Sequence, residues 1–115
     1  GAGTAAASLP SWVAGFGELP NDPTPLFSVE SRNGGMGAVS WETESSAEAI
    51  LEQYREAVSR AGYRIREEHS SAMQRNREEM GFWAESRQED RVVFLSASEE
   101  DGVTRVLLGY GEGLS

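Results

Sequence analysis

The sequence predicts an α+β fold: an antiparallel sheet of about five strands with one long helix packed on one face, in the order strand-strand-helix-strand-strand-strand-strand. Three observations carry this. Apolar residues recur at spacings of three and four from Ala47 to Ala61, the period of an amphipathic helix. Stretches on both sides of that segment alternate apolar and polar residues, the period of half-buried strands. An Asn33-Gly34 pair joins the first two of these stretches, and it favours the positive φ angles of a tight hairpin turn.

The elements follow in order. Phe27 and Val29 alternate with Ser28 and Glu30, and Val39 and Trp41 with Ser40 and Glu42, so the hairpin pairs antiparallel. Ser45 followed by Glu48 has the spacing of a capping box and opens the helix. Ala47, Ile50, Leu51, Tyr54, Ala57, Val58 and Ala61 form its apolar stripe, Glu56 and Arg60 pair on the outer face, and Gly62 ends it. Tyr63 and Ile65 begin a strand at once. Residues 70–80 fit neither period and read as a loop or short helix. Phe82–Ala84, Val92–Leu95 and Val103–Tyr110 make the remaining strands, with turns at Asp90 and Asp101-Gly102. Sequential pairing of these last strands as a meander is the simplest topology. In the last two, both faces are apolar, as expected of central strands covered by the helix on one side and the N-terminal arm on the other.

Residues 1–25 are rich in Gly, Ala and Pro, and Pro10, Pro20, Pro23 and Pro25 prevent a long helix there. They read as a linker or arm, with Trp12, Val13 and Phe16 able to tie its second half to the domain at 26–115. The start, GAGTAAASLP, lacks the basic and apolar regions of a signal peptide. A small-residue leader of this kind suits a tether behind a removed signal or lipid-anchor segment.

Composition narrows the function. At 115 residues there is enough chain for one core. A formal charge of −9 opposes nucleic acid and anionic lipid surfaces as partners. No apolar run is long enough to span a membrane. The absence of cysteine removes disulfides, thiolate metal sites and thiol nucleophiles, and all ten positive side chains are arginine.

The stretch TESSAEAILEQYREAVSRAGY, residues 43–63, resembles a segment of many uncharacterised bacterial exported proteins and lipoproteins. In these a Thr-containing strand runs into a Ser-capped helix that ends in Ala-Gly-Tyr or Ala-Gly-Trp before a strand. Thr43, Ser45, Tyr54, Ala61, Gly62 and Tyr63 fit; Gln53 stands where an aromatic is common and Val58 where leucine is common. The resemblance covers about a fifth of the chain and implies an α+β fold and a periplasmic or extracytoplasmic location. Its residues are packing residues, and it implies no reaction.

No catalytic, cofactor or metal constellation stands out. His69 is the only histidine, and its neighbours Ser70 and Ser71 do not make a triad; an exposed strand-end position is the expectation. The Gly-rich runs 34–37 and 109–113 precede no helix that would aim amides at a phosphate. Glu99, Glu100 and Asp101 crowd a hairpin tip but lack the spacing of a calcium loop.

Two candidate sites remain. Six of the ten arginines fall between residues 64 and 91, so Arg64, Arg66 and Arg87 form a candidate patch for a carboxylate ligand or acidic partner; cross-strand pairing with Glu67, Glu68, Glu85 and Glu89 is the plainer account. Trp41, Trp83 and Tyr110 are candidate pocket aromatics, with core packing as their plainer role. The expectation is a non-enzymatic binding or accessory domain of the cell envelope, with an envelope protein or small ligand as partner. The alternatives are a small ligand-binding domain or hydrolase with a pocket between helix and sheet, and a homo-oligomer paired through sheet edges.

Overall fold

In a computed structural model, residues 9–16, 23–32, 34–74 and 77–113 are described, with side chains at all of these except 31, 67–74 and 77–79. The elements are α1 (Ser11–Ala14), β1 (Thr24–Ser31), β2 (Gly34–Thr43), α2 (Ala47–Arg60), β3 (Arg64–Gln74), β4 (Arg77–Ser86), β5 (Arg91–Glu100) and β6 (Val103–Glu112). The fold is α+β, as expected, but the sheet has six strands rather than about five, all antiparallel, in the order β1-β2-β6-β5-β4-β3. The extra length comes from 70–80. Of that segment, residues 70–74 and 77–80 are not loop or helix but the facing ends of β3 and β4, where Ser70 pairs with Met80 and Gln74 with Arg77, and 75 and 76 lie outside the described residues. Backbone pairing along a sheet edge needs no apolar alternation, which is why the period is silent there. His69 accordingly lies within β3, opposite Gly81, rather than at a strand end.

β1 and β2 pair as the hairpin motif predicts; Asn33 lies outside the described residues. Pro25 is accommodated because β1 is an edge strand with an irregularity between Pro25 and Phe27. The helix begins one residue later than its Ser45 motif suggests. Ser46 is the cap, its hydroxyl accepting from the Ala49 amide at 3.1 Å, while the Ser45 amide donates to Thr43 Oγ1. Gly62, at φ 95°, takes the left-handed position just past the Ala61 cap.

α2 crosses β3, β4, β5 and β6 and buries Ala47, Ile50, Leu51, Tyr54 and Val58 against them. From the sheet, Val39 and Trp41 of β2, Phe82 and Ala84 of β4, Val93, Leu95 and Ala97 of β5, and Val106 and Leu108 of β6 face the helix. Trp41 stacks obliquely on Tyr54, ring centroids 6.4 Å apart.

α1 packs on this same face, which corrects the expectation that the arm covers the other one. Trp12 stacks on Tyr63 and meets Tyr110 edge-on, and Phe16 meets Tyr63 edge-on. Tyr110 alternates in phase with Leu108 and Val106, so its contacts place α1 beside α2. Arg91 holds the cluster closed: its guanidinium lies 4.8 Å over the Trp12 ring, and its Nε donates to Glu112 at 2.9 Å.

Candidate functional site: the open sheet face

With both described helices on one side, the opposite face of the sheet is uncovered among the described residues. Its make-up follows from the register. One row across the strands runs Phe27, Ala38, Gly109, Phe94, Trp83; the next runs Val29, Met36, Gly111, Val92, Glu85, Arg64. A third contains Ser40, Leu107, Ser96 and Gly81. Phe27 (51%), Val29 (55%), Met36 (39%) and Phe94 (37%) retain large exposures, and Val103 lies on the same face. Ala38 is buried between its neighbours yet stands apart from the core cluster under the helix. The centre of the face is therefore apolar, with the small residues Gly109, Gly111 and Ala38 set between larger side chains.

Among the described side chains, charge on this face gathers at two corners, and in the backbone register Glu67 also stands beside Trp83 and Glu79 beside Ser98. At one corner, Arg105 donates to Glu42 at 2.7 Å. At the other, Glu85 lies 3.8 Å from the Arg66 Nε and 3.8 Å from the Arg87 Nε, while Arg64 is its cross-strand partner in the backbone ladder. A bulge between Ile65 and Glu67 inserts Arg66 as an extra residue and aims it at Glu85. Arg66, Trp83, Glu85, Arg87 and Val92 line an open depression of about 630 Å³.

The structure thus brings Arg64, Arg66 and Arg87 together, but around Glu85. These exposed pairs contribute at most about 1 kcal/mol each, and they blunt the positive field that a carboxylate ligand would use. The three candidate aromatics do not meet. Trp41 is core beneath α2, Tyr110 stands beside α1, and only Trp83 faces the depression. The depression is lined by β3, β4 and β5 and the turn joining the last two, including Ser86, Asp90 and Arg91, and by no residue of α2. The Tyr63 phenol is pushed up from its ordinary value by burial, opposed by the nearby Arg91.

Glu99 has a different role from the one its sequence neighbourhood suggests. It continues the phase of Val93, Leu95 and Ala97 toward the helix, and its carboxylate accepts from the Ala47 amide at 2.7 Å. It closes the N-terminus of α2 from 52 residues away. Among the described residues no group of three His, Asp or Glu side chains is placed to hold a metal ion, and no helix is long and apolar enough to cross a membrane.

What sequence reasoning missed is the face itself. Its signal was present in the doubly apolar β5 and β6 and in Phe27, Val29 and Met36. No protein-family model matches this chain, and no curated protein matches it in sequence. Function is therefore argued from geometry.

Proposed function

We propose that this chain is a non-enzymatic binding or accessory domain of the bacterial cell envelope, and that it works through the open face of its sheet. The observation that carries the binding part is the group Phe27, Val29, Met36 and Phe94, which share one face of the sheet and each stay more than a third exposed among the described residues. A patch of that kind, rimmed by polar residues, marks a protein-contact surface more often than a chemical site. The envelope part is supported by the likeness of residues 43–63 to exported proteins. A small-ligand reading draws on the depression beside Trp83. It is the weaker of the two, because an anion there must displace Glu85 from Arg66 and Arg87.

The test is site-specific photo-cross-linking in the native cell. A photoreactive residue at Phe94 should give a discrete adduct, and one at Glu52 on the outer face of α2 should not. Equal labelling from both positions, or none from Phe94, sinks the contact surface. Fractionation that finds the protein only in the cytosol sinks the location.

A further inference from the structure

We infer that the protein seated on the open face is a second copy of this chain, packed sheet against sheet as a two-fold sandwich. This rests on reading the face as a contact surface. The centre of the face is complementary to itself. Its strand order, β1-β2-β6-β5-β4-β3, has its midpoint between β6 and β5. A two-fold axis laid along the strands at that midpoint exchanges β6 with β5 and β2 with β4, and keeps every residue at its own height along the strand.

The cross-strand register then fixes what meets what. Phe94 and Gly109 are ladder partners, so Phe94 of the second copy falls over Gly109 and the reverse. By the same operation Val92 falls over Gly111, Leu107 over Ser96, and Trp83 over Ala38. In each case a large side chain meets a residue with little or no side chain, the arrangement that lets two layers interdigitate. Toward the margins the match weakens: Met36 falls over Glu85, whose carboxylate is already held by Arg66 and Arg87, Val29 over Arg64, Phe27 over the Glu67 position and Glu42 over the Glu79 position. Aligned sheets cross at about 30°; inclining the axis by half of that moves the central pairs little, because they lie beside it.

The size also suits. Five strand spacings of about 4.8 Å and about ten residues at 3.3 Å give a face of roughly 800 Å², which is the share of each partner in a standard stable interface. The apolar residues occupy its centre, and the charged positions Glu42, Arg64, Glu67, Glu79, Glu85 and Arg105 lie toward its margins.

The test combines mass and geometry on the whole chain. Sedimentation equilibrium across a wide concentration range should show reversible dimers. Phe94→Arg should weaken them by roughly a hundredfold, as for a central hot spot. Gly109→Val is a second, independent variant. Among the described residues a Cβ there meets nothing nearer than 3.8 Å, so the fold should be retained while the space for the second copy's Phe94 is filled; it should give monomers with unchanged thermal unfolding. Since the chain has no cysteine, Ser98→Cys accepts a single nitroxide. Face-to-face packing puts the two β5 strands about 11 Å apart, one strand spacing sideways and one sheet spacing up, and broadens the spectrum. Edge-to-edge pairing would separate them by at least about 24 Å. A monomer at every concentration, or a dimer without broadening, overturns the inference. A Phe94 adduct to a different protein also overturns it, and in that case the contact-surface reading stands.

Discussion

Removing the Glu99 carboxylate should loosen α2 at its N-terminus, although Glu99 belongs to a strand. The Glu99 oxygen lies 2.7 Å from the Ala47 amide, one of the helix-end donors with no intrahelical partner. A hydrogen bond to a charged group contributes about 1.5 to 3 kcal/mol, and a negative charge at a helix N-terminus about 0.3 to 1 kcal/mol. Glu99 is only partly buried and the Ser46 cap remains, so the low end of the combined range applies. Glu99→Ala should therefore cost about 1.5 kcal/mol, lowering Tm by about 6 °C in a chain of this length. Glu99→Gln keeps an acceptor without the charge and should cost about 0.5 kcal/mol. The control is Glu30→Ala, an exposed glutamate of the edge strand β1, which should stay within about 0.5 kcal/mol. Urea unfolding followed by circular dichroism reads all three. The reasoning fails if Glu99→Ala loses no more than Glu30→Ala. Because Glu99 and Ser46 close the same end of the same helix, Glu99→Ala and Ser46→Ala should also be non-additive in a double-mutant cycle.

Two further outcomes follow from the α1 cluster. The Tyr63 phenol ionises in the folded chain only above its ordinary value, with burial as the main cause. The unfolded chain ionises it near pH 10, so from there upward the unfolded state binds fewer protons and stability falls with rising pH. Stability should be level in this respect below about pH 10 and decline above it, and Tyr63→Phe should remove part of that decline in unfolding curves taken from pH 8 to 11. At Gly37, a Cβ would stand 2.5 Å from the Tyr110 hydroxyl and 2.9 Å from the Phe27 carbonyl, so Tyr110 must move and the backbone cannot. Gly37→Ala should cost about 1 to 3 kcal/mol and shift the tryptophan emission through Trp12, which Tyr110 contacts. Unchanged emission and stability would show that Tyr110 does not lie across Gly37.

The legible parts of the fold were those whose evidence is local. Asn33-Gly34 and the alternation around it announce the first hairpin, and the stripe from Ala47 to Val58 with Gly62 behind it announces the helix. Ser45 and Ser46 stand side by side, and spacing alone does not choose between them; the choice is made by Thr43, whose hydroxyl takes the Ser45 amide. Glu99 as a helix cap was invisible because its partner lies across the fold. The Trp41, Trp83, Tyr110 grouping failed on phase. Alternation shows that a strand has two faces, and which one meets the helix is decided only when neighbouring strands set the register. Trp83 is out of step with the buried Phe82 and Ala84, and Tyr110 is in step with Leu108.

The open face was misread for a related reason. Val92 and Phe94 on one side of β5, with Val93 and Leu95 on the other, are the residues of a strand covered twice. Sequence reports that both sides are suited to burial and is silent on what buries the second. The arm was the natural candidate, and Trp12, Val13 and Phe16 do dock, but on the face that α2 already covers. Stability of the lone chain gives no reason for Phe27, Val29, Met36 and Phe94 to share the other face, since each remains more than a third exposed. On the reading proposed above, these side chains have their reason in what they contact. The glycines at 109 and 111 point the same way: they break the side-chain cover of a central strand, β6, at the two positions flanked by Phe94 and Val92. Within one chain that is a defect in packing. Against a second layer, it is where the second layer fits.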